Sequence, residues 1–318
     1  MSDKMKVGQV VNEAVRFGRY RWGAVIRFGW LPAIVSCLLF VAYAAFVINF
    51  ETAQAMANEE ISFELASFFR APLPVVIALG LVVYSIMILL FSGVYASIFR
   101  LVAMGEERPG IFHLRMDGPA VRVFLAYLIL TIIGFVIWII SIGVGFVITG
   151  KNAFSLFPLI GQVIGEFVAV GETYEPSKQL LTQLGEAVEP YGLGILLGLI
   201  PMVYILIKLF PFPAASAVED RLVLLGSFRM TFGHWWTIFF SVLLMVVFLS
   251  IAVMIFELTS SILELIFEYA LAQGGTLTAL GAILGFGLLV VSIVFNAFIY
   301  AVQFSMHAIV YRRLTTGE

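Results

Sequence analysis

Six stretches of this chain, 28–50, 71–99, 123–150, 190–207, 230–256 and 269–311, contain no aspartate, glutamate, lysine or arginine. A helix needs roughly 20 apolar residues to cross the hydrocarbon of a bilayer, and each stretch approaches or exceeds that length. Charged residues make up only 12% of the 318 residues, and the mean hydropathy is +1.06. A soluble fold could not hide that much apolar surface, because surface grows too fast relative to volume. The chain therefore reads as an all-α polytopic membrane protein, a single integral membrane domain over 1–318 with six transmembrane helices.

The spans are placed near 28–50, 71–99, 123–150, 190–216, 234–256 and 277–311. The fourth continues past Lys208 through "LFPFPAASAV", with the lysine snorkelling toward headgroups. The sixth begins near Leu277, after Gly274-Gly275. Lysine and arginine set the direction. With the N-terminus in the cytoplasm, 15 of the 18 fall inside, and only Arg70, Lys151 and Lys178 fall outside. Both termini are expected to be cytoplasmic, in a bacterial-type inner membrane. The apolar segment 152–165, within an outer loop over 151–189, is too short for a span and reads as interfacial or re-entrant. Ala42-Tyr43-Ala44 imitates a signal-peptidase site, but 27 polar or amphipathic residues precede the apolar run, too many for a leader. Cys37 is the only cysteine, reads as a small core hydrophobe, and allows no intramolecular disulfide.

"EDRLVLLGSFRMTFGHWW", Glu219 to Trp236, is a charged passage between two apolar runs. Wound as a helix, it places Leu224, Leu225, Phe228, Phe232, Trp235 and Trp236 on an arc of roughly 120°. Ser227, Thr231, Gly233 and His234 lie opposite. Such a helix is suited to the membrane surface, with tryptophans marking the interface. The passage is expected to form a cytoplasmic elbow whose key residues are Glu219, Arg229, His234, Trp235 and Trp236. Residues 1–27 repeat the design: Val7, Val10, Val11, Ala14, Phe17, Gly18 and Trp22 form an apolar face, so a separate amphipathic interfacial helix is expected there. "YASIF" at 95–99 and "YAVQF" at 300–304 share Tyr-Ala-x-x-Phe, which hints at repeated units of the kind found in transporters.

"ASAVEDRLVLLGSFRMTFGHWWTIFF" resembles the glycerophosphodiester phosphodiesterase membrane-domain family and its stand-alone bacterial relatives. Pro213, Glu219, Ser227, Arg229, Gly233, His234 and Trp235 carry the resemblance, and the opening "VGQVVNEAVRFGRYRWGAVIRFGWLP" fits the family's usual start. In two-domain members catalysis belongs to a soluble barrel, of which this sequence has no trace. The resemblance implies a membrane architecture without phosphodiesterase activity.

The strongest polar constellation lies on the sixth span. Ser292, Asn296, Tyr300, Gln303 and His307 recur at steps of four, four, three and four and share one helix face. Tyr204 and Lys208 add two groups on the fourth span, and Ser92 and Tyr95 two on the second. Two explanations fit. The groups line a polar cavity, with Lys208 attracting a phosphate or carboxylate headgroup, or they hydrogen-bond between helices and hold the bundle together. Pro201, Pro211 and Pro213 around Lys208 mark either a broken, site-forming span or an ordinary kinked helix. Glu257, Ser261, Glu264 and Glu268 read as the solvated face of a projecting helix.

No metal or other cofactor is expected. His113, His234 and His307 lack metal-ligand spacing. The pairs Gly161/Gly165, Gly194/Gly198 and Gly281/Gly285 are too frequent by chance to argue dimerisation. No acid, base and nucleophile converge at a recognisable spacing, so the chain is not expected to be an enzyme. The leading expectation is a protein that binds or moves an amphiphile, with Tyr204, Lys208, Asn296, Tyr300, Gln303 and His307 as ligand residues and membrane lipids as partners. Its rivals are a transporter or channel for a small polar solute, and a structural or scaffold protein that organises partners or the bilayer; protein partners or a second copy of the chain are the other candidate partners. Nucleic acid is not an expected partner.

Overall fold

The computed structural model describes residues 5–47, 72–107, 116–150, 159, 178–273 and 276–317. Among these, every regular element is a helix: α1 Val7–Val47, α2 Leu73–Met104, α3 Gly118–Thr149, α4 Lys178–Lys208, α5 Phe212–Val218, α6 Leu224–Met230, α7 Trp235–Gln273 and α8 Thr276–Thr316. Six helical segments are long and apolar enough to cross a membrane: Val7–Val47, Ala78–Met104, Gly118–Thr149, Thr182–Val218, Trp235–Phe267 and Gly285–Thr316. The protein is an all-α polytopic membrane protein. Helix is the form these runs must take, because it satisfies every backbone group within the segment. The side-chain hydroxyls follow suit. Ser85, Ser92, Ser97, Thr131, Ser241 and Thr259 each donate to the carbonyl four residues back on their own helix. The segment 152–165, apart from residue 159, and the acids Glu51, Glu59, Glu60, Glu172 and Glu175 lie outside the described residues.

The chain divides into two compact units, one of residues 1–34, 88–126 and 207–318, the other of residues 35–87 and 127–206. Helices α1 to α4 each contribute to both. In the second unit, the Tyr43 hydroxyl donates to the Val76 carbonyl at 3.1 Å, over Gly80. Helices α3 and α4 cross backbone to backbone at Gly145 and Gly194: a Cβ on Gly194 would stand 2.6 Å from the Ile142 Cα and 2.8 Å from the Ser141 carbonyl. Gly194 and Gly198 therefore serve a crossing within the chain. Cys37, expected in the core, is exposed on α1 among the exposed Leu38, Phe40 and Val41.

The first unit is built around α5, whose Phe212, Pro213, Ala214, Ala215, Ser216 and Ala217 are all buried. A short helix buried this way must have its last carbonyls satisfied. Two arginines meet that need: Arg100 Nη1 donates to the Ala217 carbonyl at 3.0 Å, and Arg122 Nε to the Ser216 carbonyl at 3.2 Å. The positive groups also face the negative end of the helix dipole. Asp220, in the left-handed region at φ 57°, ties both guanidiniums together. Glu219 accepts from the Tyr311 hydroxyl at 3.2 Å and pairs with Arg221 at 3.0 Å. The acids that open the "EDR" passage are thus structural ties between α2, α3, α5 and α8.

The elbow itself is broken in two. Helix α6 ends at Met230, turns occupy 231–234, and α7 starts at Trp235. Gly233 sits at φ +83° with open space where a Cβ would project, so an alanine there would suffer backbone strain alone. Gly233→Ala is expected to destabilise the protein by about 1–2 kcal/mol, read as a lower melting temperature in micelles. Leu225, Phe232 and Trp236 are 78%, 81% and 65% exposed, while Ser227 and Thr231 are fully buried. The apolar arc thus points away from the protein and the polar arc into it, where Thr231 donates to the Lys208 carbonyl at 3.2 Å.

The N-terminal segment departs from expectation. Helix α1 runs without interruption through residue 27 and Pro32 for 41 residues, about 60 Å, twice the hydrocarbon thickness of about 30 Å. Val10, Ala14 and Gly18 on its apolar arc are buried, and Gly18 lies directly against Val302 and Phe298 of α8. At Gly18 the arc assigned to acyl chains is covered by α8, which the missing side chain lets approach.

Candidate functional site

The two Tyr-Ala-x-x-Phe motifs meet. Tyr95 of α2 stacks on Phe304 of α8 with ring centroids 3.9 Å apart, and Phe99 lies edge-on to Phe304 at 6.5 Å. Ala96 and Ala301, both fully buried, bring the two helices close enough for this. Immediately beside the stacked rings, α1, α2 and α8 enclose a cleft of about 550 Å³. Its walls are mostly apolar: Val25, Trp30 and Ala33 from α1, Phe91 and Val94 from α2, Ile293 and Ala297 from α8. Tyr95, Ser292, Asn296 and Tyr300 supply the polar groups. Tyr300 is 47% exposed, so the cleft opens at this edge. Asn296 is exposed and donates its amide to the Ser292 carbonyl at 2.9 Å.

The polar stripe on α8 is one face, but it is a ridge between two grooves. Its members cover an arc of about 80° at 3.6 residues per turn. Ser292, Asn296 and Tyr300 border the cleft with α1 and α2. Gln303 and His307 border a different hollow of about 530 Å³, walled by Phe210 and by Val242, Met245, Leu249 and Val253 of α7. His307 donates from Nδ1 to the Phe210 carbonyl at 2.7 Å and stacks on the Phe210 ring at 4.0 Å. It thereby holds the chain where α4 breaks ahead of Pro211 and α5.

Lys208 is buried, and its ammonium lies 5.3 Å over the ring of Phe232, a cation–π contact with the elbow. It borders neither hollow. Tyr204 belongs to the second unit and is half exposed. The six expected ligand residues are therefore distributed: Asn296 and Tyr300 in the cleft, Gln303 and His307 in the second hollow, Lys208 at the elbow and Tyr204 in the other unit.

The elbow residues are brought together at the start of α7. Trp235 stacks on Phe239 at 5.2 Å and meets Trp236 edge-on at 4.6 Å, and Trp236 stacks on Phe240 at 5.8 Å. His234 and Trp235 are half-buried, Arg229 is exposed, and Trp22 on α1 is exposed. Glu219 is the exception, being turned inward to Tyr311. The residues that sequence reasoning missed are Arg100 and Arg122, whose only signal was that they are arginines close to the ends of apolar runs. Among the described residues, no group of three histidine, cysteine or acidic side chains could hold a metal ion.

No protein-family model, curated protein or solved structure matches this chain. The functional reading rests on the cleft and its surroundings.

Proposed function

We propose that this membrane protein binds an amphiphile in the cleft between α1, α2 and α8, acting as a binding or carrier protein rather than an enzyme. One observation carries the reading: an apolar cleft of about 550 Å³ with its few polar groups gathered at Tyr95, Ser292, Asn296 and Tyr300. That volume is within the range of about 300–1,000 Å³ usual for small-molecule sites. The mix suits a molecule with a hydrocarbon part and a polar part. The exposed Leu225, Phe232 and Trp236 support a membrane-surface role for the elbow. The excess of arginine and lysine on the N-terminal side favours cytoplasmic termini. The likeness of 213–236 to a bacterial membrane-domain family favours an inner membrane.

The test compares the wild-type protein with Ala33→Trp by native mass spectrometry after gentle solubilisation, scoring retained lipids and metabolites against the bulk membrane. Ala33 lines the cleft from an exposed position on α1, so an indole there fills the space without overpacking the core. The wild type is expected to retain a selected amphiphile, and Ala33→Trp to retain at least about tenfold less, as loss of roughly 1.4 kcal/mol of binding would give. Bulk-like lipid on both proteins, or equal retention, would remove the reading.

A further inference from the structure

The same three helices form a second cavity, of about 620 Å³, at the end of the first unit where the start of α1 meets the close of α8. Its character is the opposite of the cleft's. Four arginines, Arg16, Arg21, Arg312 and Arg313, line it against two acids, Glu13 and Glu107, an excess of two positive charges. How the acids are used is more informative than the count. Arg21 pairs with Glu107 at 2.8 Å, which accounts for one charge of each sign. Arg312 and Arg313 both bind the single carboxylate of Glu13, which leaves one positive charge over. Arg16 makes no ion pair with any described residue and supplies the second.

The cationic groups are also held in place. Arg312 donates to the Val102 carbonyl at 3.2 Å, and Arg313 to the Gln9 side chain at 3.2 Å. The Nε of Arg312 is buried and finds no hydrogen-bond partner among the described residues, so the side chain is fixed by its terminal nitrogens. Fixed guanidiniums with spare donors match the geometry of phosphate and carboxylate oxygens, and phosphate most fully, because it offers more oxygens and more charge.

We infer that this cavity is a binding site for a phosphate group. The inference rests on the amphiphile reading where the phosphate is a lipid headgroup. Tyr20 and Arg21 of the charged cavity and Val25 of the apolar cleft lie about one helical turn apart on α1, so one molecule could place its head in the first and its tail in the second. A free phosphate compound would use the charged cavity alone.

The experiment separates the two sources. The full-length protein is placed in nanodiscs of equimolar phosphatidylglycerol and phosphatidylcholine, and the ratio of retained lipids is read by native mass spectrometry. In a parallel arm, the melting temperature in neutral detergent is followed as inorganic phosphate replaces chloride at constant ionic strength. Two variants keep the fold. Arg16 is exposed and makes no ion pair with a described residue, and Asn12 is exposed on the cavity wall. Arg16→Gln is expected to lower phosphate-group binding about tenfold, and Asn12→Glu to abolish it, each with an unchanged melting temperature when phosphate is absent.

A phosphatidylglycerol preference lost in both variants supports the headgroup source. A phosphate-dependent rise in melting temperature lost in both variants, with no lipid preference, supports the free compound. Ala33→Trp should remove lipid retention and leave the response to inorganic phosphate intact, so the cleft reading and the phosphate site fail by different measurements. Neither a lipid preference nor a phosphate response in the wild type overturns the inference. So does a response that Arg16→Gln and Asn12→Glu leave unchanged.

Discussion

Arg100→Met is expected to destabilise the first unit by about 3 kcal/mol. The side chain is only 14% exposed and makes three polar contacts. Nε donates to Glu106 at 2.5 Å, and Nη1 to the Ala217 carbonyl at 3.0 Å and to Asp220 at 3.4 Å. Methionine fills much of the volume but supplies no donor. The Ala217 carbonyl, at the end of a buried helix, would then lack its partner, at a cost of about 1–3 kcal/mol. Glu106 would lose its contact with Arg100, which counts for less because that carboxylate is one-third exposed and screened. Arg100→Lys keeps the charge but cannot reach three acceptors from one ammonium, so it should recover less than half of the loss. Equilibrium unfolding in mixed micelles, followed by tryptophan fluorescence, measures both. A loss below about 1 kcal/mol for Arg100→Met would mean that water satisfies the end of α5 and that the arginine is dispensable.

A second large effect belongs to the α3–α4 crossing. Gly194→Leu is expected to cost at least about 3 kcal/mol, at the top of the range for overpacking. A Cβ at Gly194 would meet the Ile142 Cα at 2.6 Å, the Ser141 carbonyl at 2.8 Å and the Ile142 amide nitrogen at 3.0 Å. All three are backbone atoms, so no side-chain rotation relieves the clash and the helices must separate. Separation forfeits the close packing that holds membrane helices together where no hydrophobic force acts between them. Gly192 provides the control. It lies half a turn away on the same helix, and nothing stands within 4 Å of where its Cβ would be. Gly192→Leu should be neutral or slightly stabilising, because it gains helix propensity without steric cost. If the two variants melt together, the crossing is not what holds α3 to α4.

The six crossings were legible from the sequence because absence of charge over 20 residues has one physical meaning in a bilayer. The helix that begins at Thr276 was legible too, from the two glycines ahead of it. What covers each apolar face was not. Val10, Ala14 and Gly18 form the same periodic stripe whether acyl chains or α8 lie against it, and periodicity names a face without naming its neighbour. Glu219 and Asp220 read as membrane-surface charge for the same reason, since the tyrosine that holds Glu219 and the arginines that hold Asp220 come from residues around 100 positions away. The polar stripe on α8 was found by spacing, yet its division between two hollows depends on which helix stands on each side of the ridge. Lys208 was placed by its span and not by its partner, the ring of Phe232, which lies beyond the break in the helix.

The pairing of Glu13 with Arg312 and Arg313 spans 299 and 300 residues, so Glu13 meets these partners only once α8 has been made. At a synthesis rate of about 5–20 residues per second, the ribosome needs roughly 15 to 60 s to travel from one to the other. Through that interval Glu13 has neither arginine, and Gly18 has no α8 to cover it. The newborn N-terminal helix must be kept from other partners by the membrane or by the insertion machinery. The charged cavity therefore forms only after α8 has been made, because Arg312 and Arg313 supply one of its walls.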